Sequence, residues 1–105
     1  MLTQKDSIEY TQNFIAKLQS KGLKIKYAHL FGSYSKNNQH YDSDIDLALA
    51  ADEFIGLGFI DIDLFSKELY EYDLIQVKTY NTEYFEKGDP FIDEIKKTGI
   101  SLKIN

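Results

Sequence analysis

The sequence lacks both cysteine and arginine. Without cysteine the chain forms no disulfide bond, no thiolate zinc site and no cysteine nucleophile. Its twelve basic residues are all lysines, and its formal net charge is −5. Proteins that bind nucleic acid nonspecifically cluster positive charge to displace counterions from phosphates, and this chain has no such stripe. A small phosphorylated ligand or a protein partner therefore fits the composition better than a nucleic-acid substrate.

Long apolar segments are missing as well. No apolar run approaches the roughly 20 residues that span a bilayer. The first ten residues carry Lys5, Asp6 and Glu9, where a signal peptide needs an apolar stretch. We therefore expect a soluble, cytoplasmic protein with no membrane partner. A length of 105 residues, 43% of them hydrophobic, predicts a single globular domain over residues 1–105.

The periodicity of apolar residues predicts a mixed α/β (α+β) domain. The expected order is helix, strand, strand, helix, strand, helix, strand. Apolar positions from Ile8 to Leu18 define the first helix. The later segments are strands over 23–31 and 43–50, a helix over 54–70, a strand over 73–80, a helix from Asp89-Pro90 to Gly99, and a last strand from Ile100 to Ile104.

Asp44 and Asp46 lie two residues apart on a predicted strand, so both carboxylates point to one face. Two such charges about 5 Å apart repel by roughly 3 kcal/mol at an effective dielectric constant near 20. A protein tolerates the pair when a cation lies between the carboxylates or when water screens them. Oxygen ligands on one rigid face suit Mg²⁺. The alternative is an exposed strand face with two solvated acids.

Gly32 and Ser33 directly follow the predicted strand that ends at Phe31. Glycine lets the backbone approach a phosphate closely, and the serine adds a hydroxyl donor. A purely structural turn is the alternative. Ten residues separate Ser33 from Asp44. The turn would join the first strand to a returning strand that carries Asp44. This arrangement would place phosphate donors beside metal ligands, as phosphoryl and nucleotidyl transfer require.

These two motifs together resemble the signature of the minimal nucleotidyltransferases, in the DNA polymerase β-like superfamily. The signature consists of Phe31-Gly32-Ser33 and, ten residues later, Asp44-Ile45-Asp46-Leu47. The segment from Tyr41 to Ala48 is similar to the family pattern Asp-Ser-Asp-hydrophobic-Asp-Leu. Chain length and element order agree as well. The resemblance implies a nucleotidyltransferase fold, with a small mixed sheet of about four strands flanked by helices.

The resemblance also implies a two-metal mechanism. Asp44 and Asp46 would bind Mg²⁺ ions that hold the triphosphate of ATP, and a third carboxylate on a later strand would complete the site. By position this carboxylate is Asp73, in the string Tyr72-Asp73-Leu74-Ile75; the alternative is a capping acid at a helix–strand junction. AMP would move to an acceptor hydroxyl, and pyrophosphate would leave.

Four residues are expected to bind the nucleotide: Gly32, Ser33, Lys36 and Ser43. Many family members carry arginine in the loop after the serine, where this chain has Lys36. A lysine offers a point charge to a phosphate but no bidentate geometry.

Other chemistry-bearing residues are interpreted as structural. Asp61 and Asp63 repeat the letters of the first acidic motif, but they lie on a predicted helix, where residues two apart point about 200° apart. We expect them at the helix surface or its N-terminus. Lys78 follows Asp73 by five residues on the same predicted strand, so its side chain points to the opposite face. We therefore do not assign Lys78 to the site. His29 is expected to pack in the core and His40 to lie at the surface.

The spacing of the motifs is similar to that of antitoxins encoded beside HEPN-domain proteins. This resemblance implies AMP transfer to a tyrosine of a HEPN ribonuclease toxin, so that a hetero-oligomer or homo-oligomer is expected. One alternative is a subunit of the same pair that neutralises by contact alone. Another is a small-molecule nucleotidyltransferase, which would need a second chain or a dimer to build its acceptor pocket.

Overall fold

Helices and strands are mixed along residues 2–104, the part of the chain that the computed structural model describes. None of the helices in this part is long and apolar enough to cross a membrane. The elements in chain order are α1 (Gln4–Ser20), β1 (Ile25–Phe31), β2 (Ile45–Ala51), α2 (Gly58–Asp61), α3 (Ser66–Glu71), β3 (Ile75–Asn81), α4 (Thr82–Lys87), α5 (Pro90–Thr98) and β4 (Ile100–Ser101), with a 3₁₀ turn, Ile62–Leu64, between α2 and α3.

The four strands form one mixed sheet in the order β3-β2-β1-β4. Strand β1 runs antiparallel to β2 and to β4, whereas β2 and β3 are parallel. The central strand β2 is buried on both faces, which explains its nearly continuous apolar sequence after Asp46. This arrangement confirms the predicted mixed sheet of four strands flanked by helices.

Alternating strand residues build two cores, one on each face of the sheet. On the first face, Leu30 and Leu47 pack with Phe14 of α1. On the second face, Ala48 and Ala50 of β2 pack with side chains of β3, α4 and α5: Tyr80, Phe85, Ile92 and Ile95. We attribute the close packing of these aromatic rings on β2 to the small alanine side chains.

The continuous helix predicted over 54–70 is wrong. The chain instead forms α2, a 3₁₀ turn and α3. Phe54 and Phe65 are both fully buried and anchor the two ends of this segment. Gly56, with a φ of 91°, adopts a backbone conformation that ordinary side chains resist, and it keeps the start of the segment out of the helix.

Asp61 is buried, so its predicted position at the helix surface is wrong. Its Oδ1 accepts a hydrogen bond from the backbone N–H of Ile55 at 2.9 Å, and its Oδ2 accepts from the N–H of Gly56 at 2.9 Å and from the Thr79 hydroxyl at 2.7 Å. Buried backbone N–H groups need partners, and this carboxylate supplies them. Asp63 is exposed, as predicted.

Helix α4 was not predicted from the sequence. The Asn81 side chain caps it by accepting a hydrogen bond from the N–H of Glu83 at 3.1 Å. The predicted entry to α5 is confirmed, because Asp89 accepts from the N–H of Ile92 at 2.7 Å. These two short helices cover the second face of the sheet.

Candidate active site

Strand β1 ends where the chain turns over the acidic pair. Phe31 is the register partner of Asp46, and Gly32 follows with a φ of 74°. A β-carbon at Gly32 would overlap Oδ2 of Asp46 and would lie 3.2 Å from its Cγ. Only glycine therefore allows the carboxylate to lie against the backbone of this turn.

Asp44 and Asp46 lie at the start of β2. Asp44 is exposed just before the strand, and Asp46 is half-buried within it. Burial, and secondarily the charge of Asp44, raises the pKa of the Asp46 carboxyl above its ordinary value. The structure therefore concentrates negative charge that a bound cation would neutralise.

Gln76 completes a polar cluster with the two aspartates, although the sequence analysis did not identify it. Its Nε2 donates a hydrogen bond to Oδ2 of Asp44 at 2.9 Å, and the residue is the register partner of Asp46 across the parallel strands. The residue is detectable only once the parallel register of β2 and β3 is known.

Asp73 lies apart from this cluster. It occupies the turn before β3 and lines a hollow on the first face of the sheet, together with Ile62, Ser66 and Leu69. Gln76 is the register partner of Asp46, so its side chain lies on the side of the acidic pair. The role of Asp73 as third carboxylate stays a prediction.

Lys78 lies on the same face of β3 as Gln76, about 7 Å further along the strand. Its side chain lies on the face of the sheet opposite to the hollow that Asp73 lines, as the spacing predicted. The acidic pair lies on that same face as Lys78. Its Nζ lies 5.4 Å from the centroid of the Phe91 ring. The spacing between Lys78 and Asp73 alone therefore excluded Lys78 from the predicted site, although it shares a face with Asp46.

The loop after Gly32 folds into consecutive turns. The N–H of Asn38 donates to the carbonyl oxygen of Ser33 at 3.0 Å, and the Tyr34 side chain is buried in the first core. Gln4 of α1 donates to the carbonyl oxygen of Tyr34 at 3.0 Å. These contacts fix the backbone next to the acidic pair.

The other residues expected to bind nucleotide are further along this loop. Lys36 is exposed. The Ser43 hydroxyl accepts a hydrogen bond from the N–H of His40 at 2.7 Å, and it thereby closes a local turn. Their roles in nucleotide binding stay predictions.

The two histidines lie where the sequence analysis predicted. The ring of His29 packs 5.4 Å from that of Phe85. Burial, with a smaller contribution from the charge of Lys96, lowers the pKa of His29. His40 is exposed in the loop.

The donor set fits a divalent cation that is bound together with a nucleotide. Within residues 2–104, no group of three or more His, Cys, Asp or Glu side chains could hold a metal ion. Proteins usually bind Mg²⁺ through one or two carboxylates together with substrate phosphates. Asp44 and Asp46 provide that number of carboxylates, and the missing β-carbon at Gly32 leaves space for the carboxylate of Asp46.

Structural comparison defines the class of protein. A protein from Sulfolobus solfataricus assigned as a nucleotidyltransferase matches with a TM-score of 0.66 at 15% identity, over 93% of this chain and 80% of that chain. A toxin–antitoxin structure with AMP-PNP matches with a TM-score of 0.60 at 25% identity, over 90% of this chain and 73% of that chain. A tyrosine-to-alanine mutant of the toxin–antitoxin MntA–HpeT matches at 0.58 and 26% identity, over 90% and 72%. The chain has the fold of a nucleotidyltransferase.

The family is shown by the sequence itself. The chain belongs to the family described as Polymerase beta, Nucleotidyltransferase, whose model matches residues 12–105. This match confirms the family inferred from the two motifs. No curated protein sequence matches the chain.

Proposed function

We propose that this chain transfers AMP from ATP to a hydroxyl of a partner protein, in the presence of Mg²⁺. The partner is a HEPN ribonuclease toxin, the acceptor is a tyrosine, and the chain acts as its antitoxin in the cytoplasm. The observation that carries this proposal is the Asp44–Asp46 pair, whose Asp46 carboxylate packs against the Gly32 turn, in a nucleotidyltransferase fold. The similarity to toxin–antitoxin structures, one of them with AMP-PNP, supports it.

We propose a separate role for each residue of the site. Asp44 and Asp46 would hold Mg²⁺ bound to the triphosphate, and the ion supplies positive charge that offsets the phosphate charge. Ser33 donates a hydroxyl hydrogen bond to a phosphate oxygen, and Lys36 contributes a point charge. Gly32 allows both the carboxylate of Asp46 and the nucleotide to approach the backbone.

The transfer is a single displacement at the α-phosphorus of ATP. The acceptor oxygen forms a bond to this phosphorus, and the bond from the phosphorus to its bridging oxygen breaks. Pyrophosphate leaves with the electron pair of that bond, and the hydroxyl proton passes to water. The chain's own contribution is to align the acceptor oxygen with the leaving group.

Gln76 favours one alternative, a subunit that neutralises its partner without catalysis. Its neutral amide occupies a position beside Asp44 where a further carboxylate would strengthen a metal site. In that alternative the acidic pair serves no reaction, and the partner is silenced by contact alone.

A mass measurement separates the two functions. The purified chain is incubated with ATP, Mg²⁺ and the protein encoded by the neighbouring gene. We expect this partner to gain one or more AMP units, and we expect no gain with an Asp44→Ala, Asp46→Ala double variant. Intact-mass spectrometry gives the result. No mass gain, together with a stable complex for both versions of the chain, would favour the non-catalytic subunit.

Single substitutions test which residue supports the acidic pair. We expect Gln76→Ala to lower the initial rate of AMP transfer about tenfold, because the Asp44 carboxylate loses the hydrogen bond that orients it. Asp73→Ala tests the predicted third carboxylate: a change in rate of less than about threefold would mean that Asp73 only lines the hollow on the first face. A loss at Asp73 as large as that for Asp46→Ala would instead establish Asp73 as the third carboxylate.

A further inference from the structure

A groove of about 580 Å³ runs along the outer edge of β3. Five consecutive residues of this edge strand, 77–81, form its floor. One wall comes from the segment before α2 and from the first residue of α2, with Ile55, Gly56 and Gly58. The opposite wall comes from α4 and α5 and the turn between them, with Tyr84, Asp89 and Phe91.

The groove begins beside the acidic pair. Lys78 lines it and follows Gln76 by two residues on the same face of β3. This separation is about 7 Å along the strand. A side chain presented from the groove can therefore reach the cluster of Asp44, Asp46 and Gln76.

The groove contains a buried polar group that has no partner within the described residues. Tyr80 lines the groove, and its hydroxyl makes no hydrogen bond there. Burial raises the pKa of Tyr80 to about 12, so the group is a neutral donor at physiological pH. Buried hydroxyl groups normally find partners, and a shift of the Tyr80 ring towards a bound segment would let the hydroxyl donate to a backbone carbonyl of that segment.

Large apolar side chains extend the wall of the groove onto the protein surface. We call this surface the apolar shelf; it consists of Ile55, Leu57, Phe59 and Ile60, which are 62%, 47%, 78% and 44% exposed. Ile55 belongs to both the shelf and the groove. An apolar surface continuous with a groove is typical of protein–protein contact.

The shelf has a fixed backbone. The buried Asp61 carboxylate accepts hydrogen bonds from Ile55, Gly56 and Thr79, and it thereby ties the shelf to β3. Asn81 donates to the carbonyl oxygen of Phe54 at 3.2 Å from the same strand. The shelf and the groove therefore form one preorganised surface.

The charge around the shelf favours a basic partner. Residues 52–73 contain seven acidic residues and one lysine, a net charge of −6, against −5 for the whole chain. Glu71 is paired with Lys17 of α1, Glu68 is paired with Lys21 at the C-cap of α1, and Asp61 is buried. Asp52 and Asp63 are exposed on either side of the shelf. A partner with basic residues around an apolar contact complements this surface.

We propose that the shelf and the groove bind the acceptor protein. A basic, partly apolar segment of that protein packs on the shelf, lies along β3 and presents its hydroxyl-bearing residue to Asp44 and Asp46. This inference rests on the proposed function and adds to it the place where the partner docks. It also assigns Lys78 and Tyr80 to contacts with the acceptor segment.

The test compares two exposed aromatic residues of the same acidic stretch. Phe59→Ser removes the most exposed side chain of the shelf, and Tyr70→Ser is its matched control, 85% exposed on α3 and outside the shelf. Asp63→Lys tests the charge. Three quantities are measured for each variant with the neighbour-encoded protein: the Kd of the complex, the rate of AMP transfer below saturation, and the Kd for AMP-PNP with Mg²⁺.

We expect Phe59→Ser and Asp63→Lys to weaken the complex and slow the transfer about tenfold, with AMP-PNP affinity unchanged. The Tyr70→Ser variant should match the wild type. Added salt should weaken the wild-type complex more than that of Asp63→Lys. Melting temperatures close to wild type would show that each variant folds.

Four results would overturn this docking site. The two shelf variants, Phe59→Ser and Asp63→Lys, could bind and modify the partner like the wild type. They could instead lose affinity for AMP-PNP, which would make the groove a nucleoside site. The wild-type chain could form a dimer that Phe59→Ser dissociates, which would make a second copy the occupant. A wild type that fails to bind the partner would refute both this site and the proposed function.

A wild type that binds the partner without transferring AMP would refute the proposed function alone. The Kd values of the shelf variants would then still decide whether the partner docks on this surface.

Discussion

Replacing Asp46 by asparagine is expected to lower AMP transfer about a thousandfold and to leave the fold at least as stable as the wild type. The substitution keeps the shape of the side chain against Gly32 but removes a carboxylate that would bind the metal–nucleotide. Charge stabilisation of this kind contributes several kcal/mol to phosphoryl transfer. Stability does not fall, because burial and the charge of Asp44 make the ionised Asp46 unfavourable in the folded state.

The pH dependence of stability provides a second readout for this variant. The folded-state pKa of Asp46 is raised above its ordinary value of 3.8. The folded state therefore binds the proton more tightly, and this contribution to stability is lost as the pH rises from the ordinary value through the raised pKa. The melting temperature of Asp46→Asn relative to wild type should increase over that window and stay constant above it.

Binding of Mg²⁺ with AMP-PNP should make the wild type more stable than Asp46→Asn, the reverse of their order without ligand. Mg²⁺ with AMP-PNP should raise the melting temperature of the wild type and have little effect on Asp46→Asn, because a ligand stabilises only a protein that binds it. Thermal melts with and without the ligand, and initial rates by mass spectrometry, measure both effects. A variant that retains more than about a tenth of the wild-type rate would show that Asp46 does not hold the metal–nucleotide.

The part of the site that lies on adjacent residues was predictable from sequence. Asp44 and Asp46 share a face because side chains alternate along a strand. The glycine before Ser33 indicated a close backbone approach, and the structure shows such an approach, made by the Asp46 carboxylate. Both inferences use only local geometry, which the order of residues determines.

The parts of the site that depend on strand pairing were not predictable in the same way. Gln76 and Lys78 lie on the acidic face because β3 pairs in parallel with β2 in a register that makes Gln76 the partner of Asp46. The residue spacing shows that Gln76 and Lys78 face away from Asp73, but it does not show which of the two faces Asp46 shares. The register between the two strands therefore determines which side chains of β3 belong to the site.

The two similar acidic motifs show how context overrides local pattern. Asp44-Ile45-Asp46-Leu47 and Asp61-Ile62-Asp63-Leu64 have the same letters, yet the first enters a strand and the second crosses from α2 into a 3₁₀ turn. The strand for the first motif and the helix for Asp61 of the second were predictable from the sequence. The inward position of Asp61 was not, because the backbone N–H groups that it satisfies belong to a loop over residues where a helix was predicted.

Replacing Gly32 by alanine is expected to lower the rate of AMP transfer about a hundredfold and the melting temperature by about 5–10 °C. The φ of 74° costs a residue with a β-carbon about 1–2 kcal/mol, which corresponds to this shift in a domain of this size. The new β-carbon would also displace the Asp46 carboxylate. A displacement of about 1 Å at reacting groups costs about a hundredfold in rate.

Gly22→Ala separates backbone strain from displacement of the carboxylate. Gly22 has a φ of 105°, and a β-carbon there has no atom within 4 Å. This variant should therefore lose stability and keep the wild-type rate of transfer. Binding of AMP-PNP with Mg²⁺ should weaken for Gly32→Ala and stay unchanged for Gly22→Ala. Equal losses of rate in both variants would mean that lower stability, and not the position of Asp46, explains the effect.

A double-mutant cycle measures how much of the cost of Gly32→Ala comes from its contact with the Asp46 carboxylate. In an Asp46→Ala background the carboxylate that the β-carbon of Gly32→Ala would meet is gone, so the second substitution should cost only the backbone strain. The loss of stability for Gly32→Ala should thus be smaller in this background than in the wild type, and urea unfolding measures the difference. Strictly additive losses would show that Gly32 is required for its backbone conformation alone, and the close approach of the turn to Asp46 would then have no energetic consequence.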